Sequence, residues 1–340
     1  MPKKQPEHIL VIRLSAMGDV AMTVPVLRAL VQQHPEVKVT VLTRPFFAPF
    51  FWSLSKVEVY PVDLKGKHKG VLGLFKLSKE LRKLKVDAVA DLHNVLRSNI
   101  LKLFLTGKPF IQIKKGRKEK NDLITGKFFK PLKTTHQRYA DVFGKLGLKI
   151  DLSTPNFPDN VKLNGKLEGL LGNLSKKKIG IAPFAAHESK MYPLDLMEEV
   201  IANLSKEYHI VLFGGGKKEI EVLSSMENKF ENVVNVAGNL SLNEELDLIS
   251  NLDVMLSMDS GNGHIAAMLG VKTVTIWGVT HPYAGFVPFN QPEDYALLSD
   301  RKKFPEIPTS VYGNKFPESY KEATRSISPK DVIRKIKNLV

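Results

Sequence analysis

Three segments carry residue types from which a reaction centre can be built. The first is Ser15-Ala-Met-Gly-Asp19. It puts one carboxylate, Asp19, at a helix start just after an apolar strand. Ligands of doubly wound sheets gather at the carboxyl ends of strands, so the turn is a privileged place for a polar side chain. The helix dipole favours the same residue type at any helix start. The second is Met258-Asp-Ser-Gly-Asn-Gly-His264. Two glycines, a hydroxyl and free backbone N–H groups at a helix N-terminus suit an anion, above all a phosphate. Ser260 and His264 could each add a donor there, although Asp259 or Ser260 could equally cap a plain strand-to-helix turn. The third, Pro183 to Pro193, holds Lys190 just before a helix. Lys190 is able to neutralise a phosphate opposite the glycine turn, or to be a solvated lysine. Phe213-Gly-Gly-Gly216, followed by Lys217, Lys218 and Glu219, is a weaker fourth loop.

Other chemistries lack their residues. There is no cysteine, which excludes a disulfide framework and a thiolate zinc site. No D-x-D pair, close histidine pair, G-x-S-x-G elbow, phosphate-binding G-x-x-x-x-G-K-[ST] or dinucleotide G-x-G-x-x-G occurs. Neither a metal nor a cofactor is expected.

The elements that must position these segments alternate. Strands are predicted at 8–14, 37–42, 57–62 and 86–92. Helices are predicted from Asp19 to about His34 and over 71–84, with Leu72, Phe75 and Leu81 as apolar positions between lysines. Ser, Pro, Asn and Gly concentrate between about 147 and 177, which reads as a linker. The alternation then restarts, with strands near 178–183, 209–213, 233–236, 253–257 and 273–277 and helices between them. Ser328-Pro-Lys-Asp opens a last helix. The rhythm means two successive parallel α/β units. The divisions expected are 1–155, 156–325 and a terminal helix at 326–340.

Charge is uneven. The chain carries 50 basic and 35 acidic residues, a net +15. Residues 1–150 hold 29 basic and 11 acidic residues; the rest hold 21 and 24. Such a surplus suits an anionic partner or solubility alone. No export signal is expected, because the first apolar run, Ile9–Ile12, stops at Arg13.

In order along the chain, these motifs resemble glycosyltransferase family nine, the ADP-heptose:lipopolysaccharide heptosyltransferases. The resemblance runs from Ile9–Val20 through Asp91–Ser98 and Ser189-Lys-Met-Tyr-Pro193 to Asp259–Ala267 and Thr273–Pro282. It implies a GT-B architecture: two Rossmann-like domains facing a cleft, with the C-terminal helix packing back on the first. It implies an inverting, metal-independent transfer of a heptose or related sugar, with ADP-heptose as donor and a lipopolysaccharide core or related glycolipid as acceptor. Asp19 would be the general base. Lys190 would stabilise the leaving diphosphate. Asp259, Ser260, Gly261 and His264 would bind the donor, with Glu219 at the ribose and backbone near Leu240 at the base. Arg97 and Arg138 are the expected acceptor contacts.

Three departures from the family pattern stand out. Tyr192 replaces the usual Trp as an aromatic wall, Asn262-Gly263 replaces a bulkier pair, and His281 replaces the Asp of T-D-P. The basic half would meet an anionic glycolipid and the inner face of the cytoplasmic membrane, making a cytoplasmic, peripheral enzyme. Pro45–Trp52 is either an aromatic core cluster or a lipid contact. The alternatives are a same-fold transferase with another donor and acceptor, or a non-catalytic basic protein binding nucleic acid or membrane. No nucleic-acid-reading motif supports binding to nucleic acid.

Overall fold

Strands that read as unbroken apolar runs are those buried on both faces, which is how parallel sheets are built. The computed structural model describes residues 5–171 and 176–340, and its two sheets are entirely parallel. The chain divides into two compact units, 1–115 with 133–156 and 116–132 with 157–340.

The first unit runs β1 (His8–Ile12), α1 (Met17–Ala21), α2 (Thr23–Gln33), β2 (Lys38–Thr43), β3 (Val57–Pro61), α3 (Gly70–Arg82), β4 (Ala88–Asp91), α4 (Leu96–Phe104) and β5 (Phe110–Gln112). Its sheet order is β3-β2-β1-β4-β5. Ile12 pairs with Leu42 on one side and Asp91 on the other. This register brings the ends of β1 and β4 together. Leu10, Ile12, Leu74, Leu77, Val89 and Leu101 form the core. The helix predicted from Asp19 to His34 is two helices, broken at Met22. In α3 the apolar face is Leu74, Leu77 and Leu81, so Leu72 and Phe75, read as part of that pattern, are exposed instead. The 45–51 segment is a 3₁₀ turn that buries Phe47, Phe50 and Phe51 and exposes Phe46, with Trp52 exposed just after it.

The chain then leaves the first unit. Helix α5 (Arg117–Ile124) and the loop to Leu132 belong to the second, and α6 (Thr135–Gly144) returns to the first. This excursion was expected within the first domain. It is held by aromatic packing: Phe129 meets His281 and Tyr283, Arg301 lies 3.6 Å over the Phe129 ring, and Lys120 lies 3.9 Å over Phe286.

The second unit continues with α7 (Gly165–Leu171), β6 (Lys178–Ala182), α8 (Leu194–Leu204), β7 (His209–Leu212), α9 (Lys217–Lys229), β8 (Val233–Asn235), α10 (Leu242–Ile249), β9 (Val254–Met258), α11 (Gly261–Met268), β10 (Lys272–Trp277), β11 (Ala296–Leu298) and α12 (Pro329–Lys337). The sheet order is β11-β10-β9-β6-β7-β8, the doubly wound arrangement, with its switch between β6 and β9. The terminal helix was expected to return to the first domain. Instead, Val332 and Ile336 of α12 are buried in the second unit's core, and α12 packs on α8. Its apolar stripe is satisfied there. Lys335–Asp294 and Lys337–Glu207 ion pairs add to the docking.

With 116–132 reassigned, the first unit holds 24 basic and 10 acidic residues and the second 26 and 25. The surplus stays with the first unit.

Candidate active site

Each switch point carries a polar cluster. In the first unit, Asp19 sits in the first turn of α1, following β1. Its Oδ2 lies 2.5 Å from Arg13 Nη2 and accepts the Ala16 N–H at 3.3 Å. Oδ1 has no partner among the described residues, and the side chain is 28% exposed. One oxygen is therefore anchored and the other is open to a ligand. Arg13 is buried; its Nη1 donates to the Leu92 carbonyl at 2.7 Å and its guanidinium lies 5.9 Å from the Tyr139 ring centre. It thus ties the end of β1 to the end of β4 and fixes Asp19 to both. Beside it, the Leu14 N–H donates to His93 Nδ1, which leaves the ring proton on Nε2. Burial first, and the Arg13 charge second, hold the His93 pKa down at about 4, so the ring is neutral near pH 7. Sequence reasoning missed Arg13, because one arginine closing an apolar run has no spacing signature.

In the second unit, Lys190 follows β6 and Asp259 follows β9. They meet at the switch, with Lys190 Nζ 2.8 Å from Asp259 Oδ2 and side chains 14% and 8% exposed. The same oxygen accepts the Thr280 hydroxyl at 2.8 Å. Backbone contacts set the lysine. The Val279 N–H donates to the Ser189 carbonyl, the Ser189 hydroxyl donates to the Gly313 carbonyl, and a side chain on Gly278 would overlap the Ser189 carbonyl oxygen. Next to the pair stands the start of α11. No side chain caps it, for Ser260 turns its hydroxyl to Ser257 at 3.0 Å. Its first N–H groups, from Gly261 on, are thus available to an anion beside a lysine.

The remaining predicted residues sort by position. Glu219, at the start of α9, accepts the Gly215 N–H at 2.8 Å and shapes the glycine loop after β7. Leu240 lies before α10, after β8, so it shares the carboxyl edge of the sheet with Lys190, Asp259, Ser260 and Glu219. His264 is buried at the close of the first turn of α11, four residues after the Ser260 N-cap. Arg97 is exposed on α4. Arg138, the other expected acceptor contact, is engaged with backbone carbonyls. It is buried, with Nε donating to the Lys133 carbonyl and Nη1 to that of Lys114, the two points where the 116–132 excursion leaves and returns. Tyr192 is not a wall of the site; it is fully buried and its hydroxyl donates to the Ile327 carbonyl. His281 is buried, accepts the Tyr283 N–H, and is held neutral by burial and by Arg301, with its pKa near 4. Among the described residues, no group of three His, Asp or Glu could hold a metal ion.

Comparisons with known proteins bear on this arrangement. The sequence model of glycosyltransferase family 9 (heptosyltransferase) matches residues 74–310, most of the chain. The lipopolysaccharide core heptosyltransferase OpsX of Haemophilus influenzae is 26% identical over 289 residues, covering 82% of this chain and 80% of that protein. The crystal structure of a family 9 glycosyl transferase from Veillonella parvula superposes with a TM-score of 0.76 at 19% identity, covering 98% of this chain and 97% of the other. That of Escherichia coli ADP-heptose lipopolysaccharide heptosyltransferase II does so with a TM-score of 0.68 at 20% identity, covering 98% of both. The fold is GT-B. With its two switch-point clusters built on that fold, the chain belongs to glycosyltransferase family 9, the heptosyltransferases, and is a glycosyltransferase.

Proposed function

We propose that this protein transfers a heptose from ADP-heptose to the core of a lipopolysaccharide, by inversion and without a metal. One observation carries the donor side: a lysine–aspartate pair beside an uncapped helix start at the switch point of the second sheet. Lys190 and the α11 N–H groups are a counter-charge for a diphosphate. Asp259 and Thr280 are left for sugar hydroxyls. The E. coli ADP-heptose lipopolysaccharide heptosyltransferase II supports this choice of donor, and the lipopolysaccharide core heptosyltransferase OpsX this choice of acceptor.

In the reaction, the acceptor hydroxyl gives its proton to Oδ1 of Asp19. The acceptor oxygen bonds to the anomeric carbon as that carbon's bond to phosphate oxygen breaks. The electron pair leaves with ADP, where Lys190 meets the developing charge. Arg97 and the basic first unit are the proposed contacts to phosphates of the acceptor, at the inner face of the cytoplasmic membrane. A related donor sugar is the second reading. His281 stands where the family pattern has Asp, and its ring is already engaged with Tyr283 and Phe129.

The test measures ADP release from ADP-heptose with a core acceptor lacking the sugar, alongside melting shifts with ADP, GDP and UDP. ADP binding to the folded state should raise the melting temperature. Asp19→Ala should keep that shift and lose turnover by about 10²-fold or more. Absence of any nucleotide shift, or normal turnover of the variant, would overturn the assignment.

A further inference from the structure

Helix α3 has an outward stripe that the fold leaves uncovered. Its buried side is Gly73, Leu74, Leu77, Ser78 and Leu81. The opposite side presents Leu72, 84% exposed, with Val71 and Phe75 also exposed. Leu72, Phe75, Lys76 and Lys79 recur at intervals of three and four, and Lys69 precedes Leu72 by three, so they share one face. A scattered exposed leucine needs no explanation, but an apolar cluster ringed by one sign of charge does. Residues 65–83 hold seven basic residues and one acid, Glu80. That acid is already neutralised, 2.7 Å from Lys67 and accepting the Tyr60 hydroxyl at 2.6 Å. The face is therefore cationic around an apolar centre. The Lys79 ammonium lies 4.6 Å over the Phe75 ring, so a positive charge adjoins the apolar centre directly.

We propose that this face of α3 is a docking surface for an anionic lipid bilayer. Val71, Leu72 and Phe75 enter the headgroup layer, and Lys69, Lys76 and Lys79 pair with lipid phosphates. A second copy of the chain fits poorly, because like charge would face like charge. Nucleic acid would satisfy the lysines and strand Val71 and Leu72 against phosphate. The inference deepens the membrane-borne acceptor proposed above, but it is read without sugar transfer, so either can fail alone.

The experiment is co-sedimentation of the full chain with vesicles of phosphatidylcholine alone or mixed with phosphatidylglycerol. The parent should bind the mixed vesicles, weaken with salt, and leave the neutral ones free. Leu72→Glu should lower the partition coefficient by roughly tenfold or more. Reversing Lys76 or Lys79 to glutamate, a change of two charges, should lower it by roughly 25-fold each. Trp52→Ser, on the other exposed aromatic segment, should leave it unchanged. Melting curves check that each variant is folded, and the lysine reversals decide the matter if Leu72→Glu is not. Equal binding by parent and the α3 variants, binding to neutral vesicles as strong as to mixed ones, no binding at all, or dependence on Trp52 instead would overturn the proposal.

Discussion

Replacing Lys190 with methionine separates two roles that one ion pair combines. Asp259 is 8% exposed, and its Oδ2 has Lys190 Nζ and the Thr280 hydroxyl, each at 2.8 Å. Removing the lysine strands a nearly buried carboxylate on a single hydroxyl. Breaking a buried pair from one side costs about 3–5 kcal/mol, and the retained Thr280 bond favours the lower end. At ~2–4 °C per kcal/mol for a unit of this size, the melting temperature should fall by ~6–12 °C. Nucleotide binding loses something different, a charge-assisted hydrogen bond to phosphate of about 1.5–3 kcal/mol, or roughly 10- to 150-fold in Kd for ADP. Adding Asp259→Asn removes the stranded charge. The double variant should regain most of the stability and none of the ADP affinity. Calorimetric melting and ADP titration calorimetry on the parent, both single variants and the double variant read the two effects separately. If ADP affinity returns together with stability, the lysine acts only through the fold. If Lys190→Met binds ADP like the parent, the phosphate role is wrong.

Three further outcomes follow from the geometry. Arg13→Met should release the anchored oxygen of Asp19 and lower kcat by roughly 10²-fold with ADP affinity unchanged, while Arg13→Lys restores part of it; an unchanged kcat would show that Asp19 needs no such anchor. His93 and His281 titrate near 6.5 when unfolded and about 4 when folded, so between those values the unfolded chain binds more protons and stability falls as pH falls; melting curves of His93→Gln and His281→Gln should each be flatter than the parent's over that window. Gly278→Ala should displace the Ser189–Lys190 backbone and weaken both melting temperature and ADP binding, because the added methyl meets a carbonyl oxygen rather than a flexible side chain.

The two α/β units and most of the strand-end loops were legible because period and punctuation are local. Asp19, Lys190, Asp259 and Ser260 lie at strand ends that the alternation itself identifies. What was not legible has a different cause. Arg138 and Tyr192 carry polar groups whose targets, the Lys114, Lys133 and Ile327 carbonyls, are fixed only by tertiary structure. Leu72 and Phe75 looked like core because they alternate with lysines, yet the buried stripe is displaced from them along α3. Residues 116–132 gave no sign of leaving their unit. Helix α5 buries only Lys120 and Leu123, too few positions to set a period.

That excursion makes the chain hard to divide. Its polypeptide passes from one unit to the other after residues 115, 132 and 156. A cut at the apparent linker would yield a C-terminal fragment missing a piece of itself, with His281, Tyr283, Phe286 and Arg301 stripped of their packing against Phe129 and Lys120. During synthesis the order is reversed. Residues 116–132 emerge well before the loops that receive them, so they must wait while about 150 more residues are translated. Arg138, by pinning the carbonyls of Lys114 and Lys133, can hold that waiting loop closed at its base and let the first unit finish folding around it.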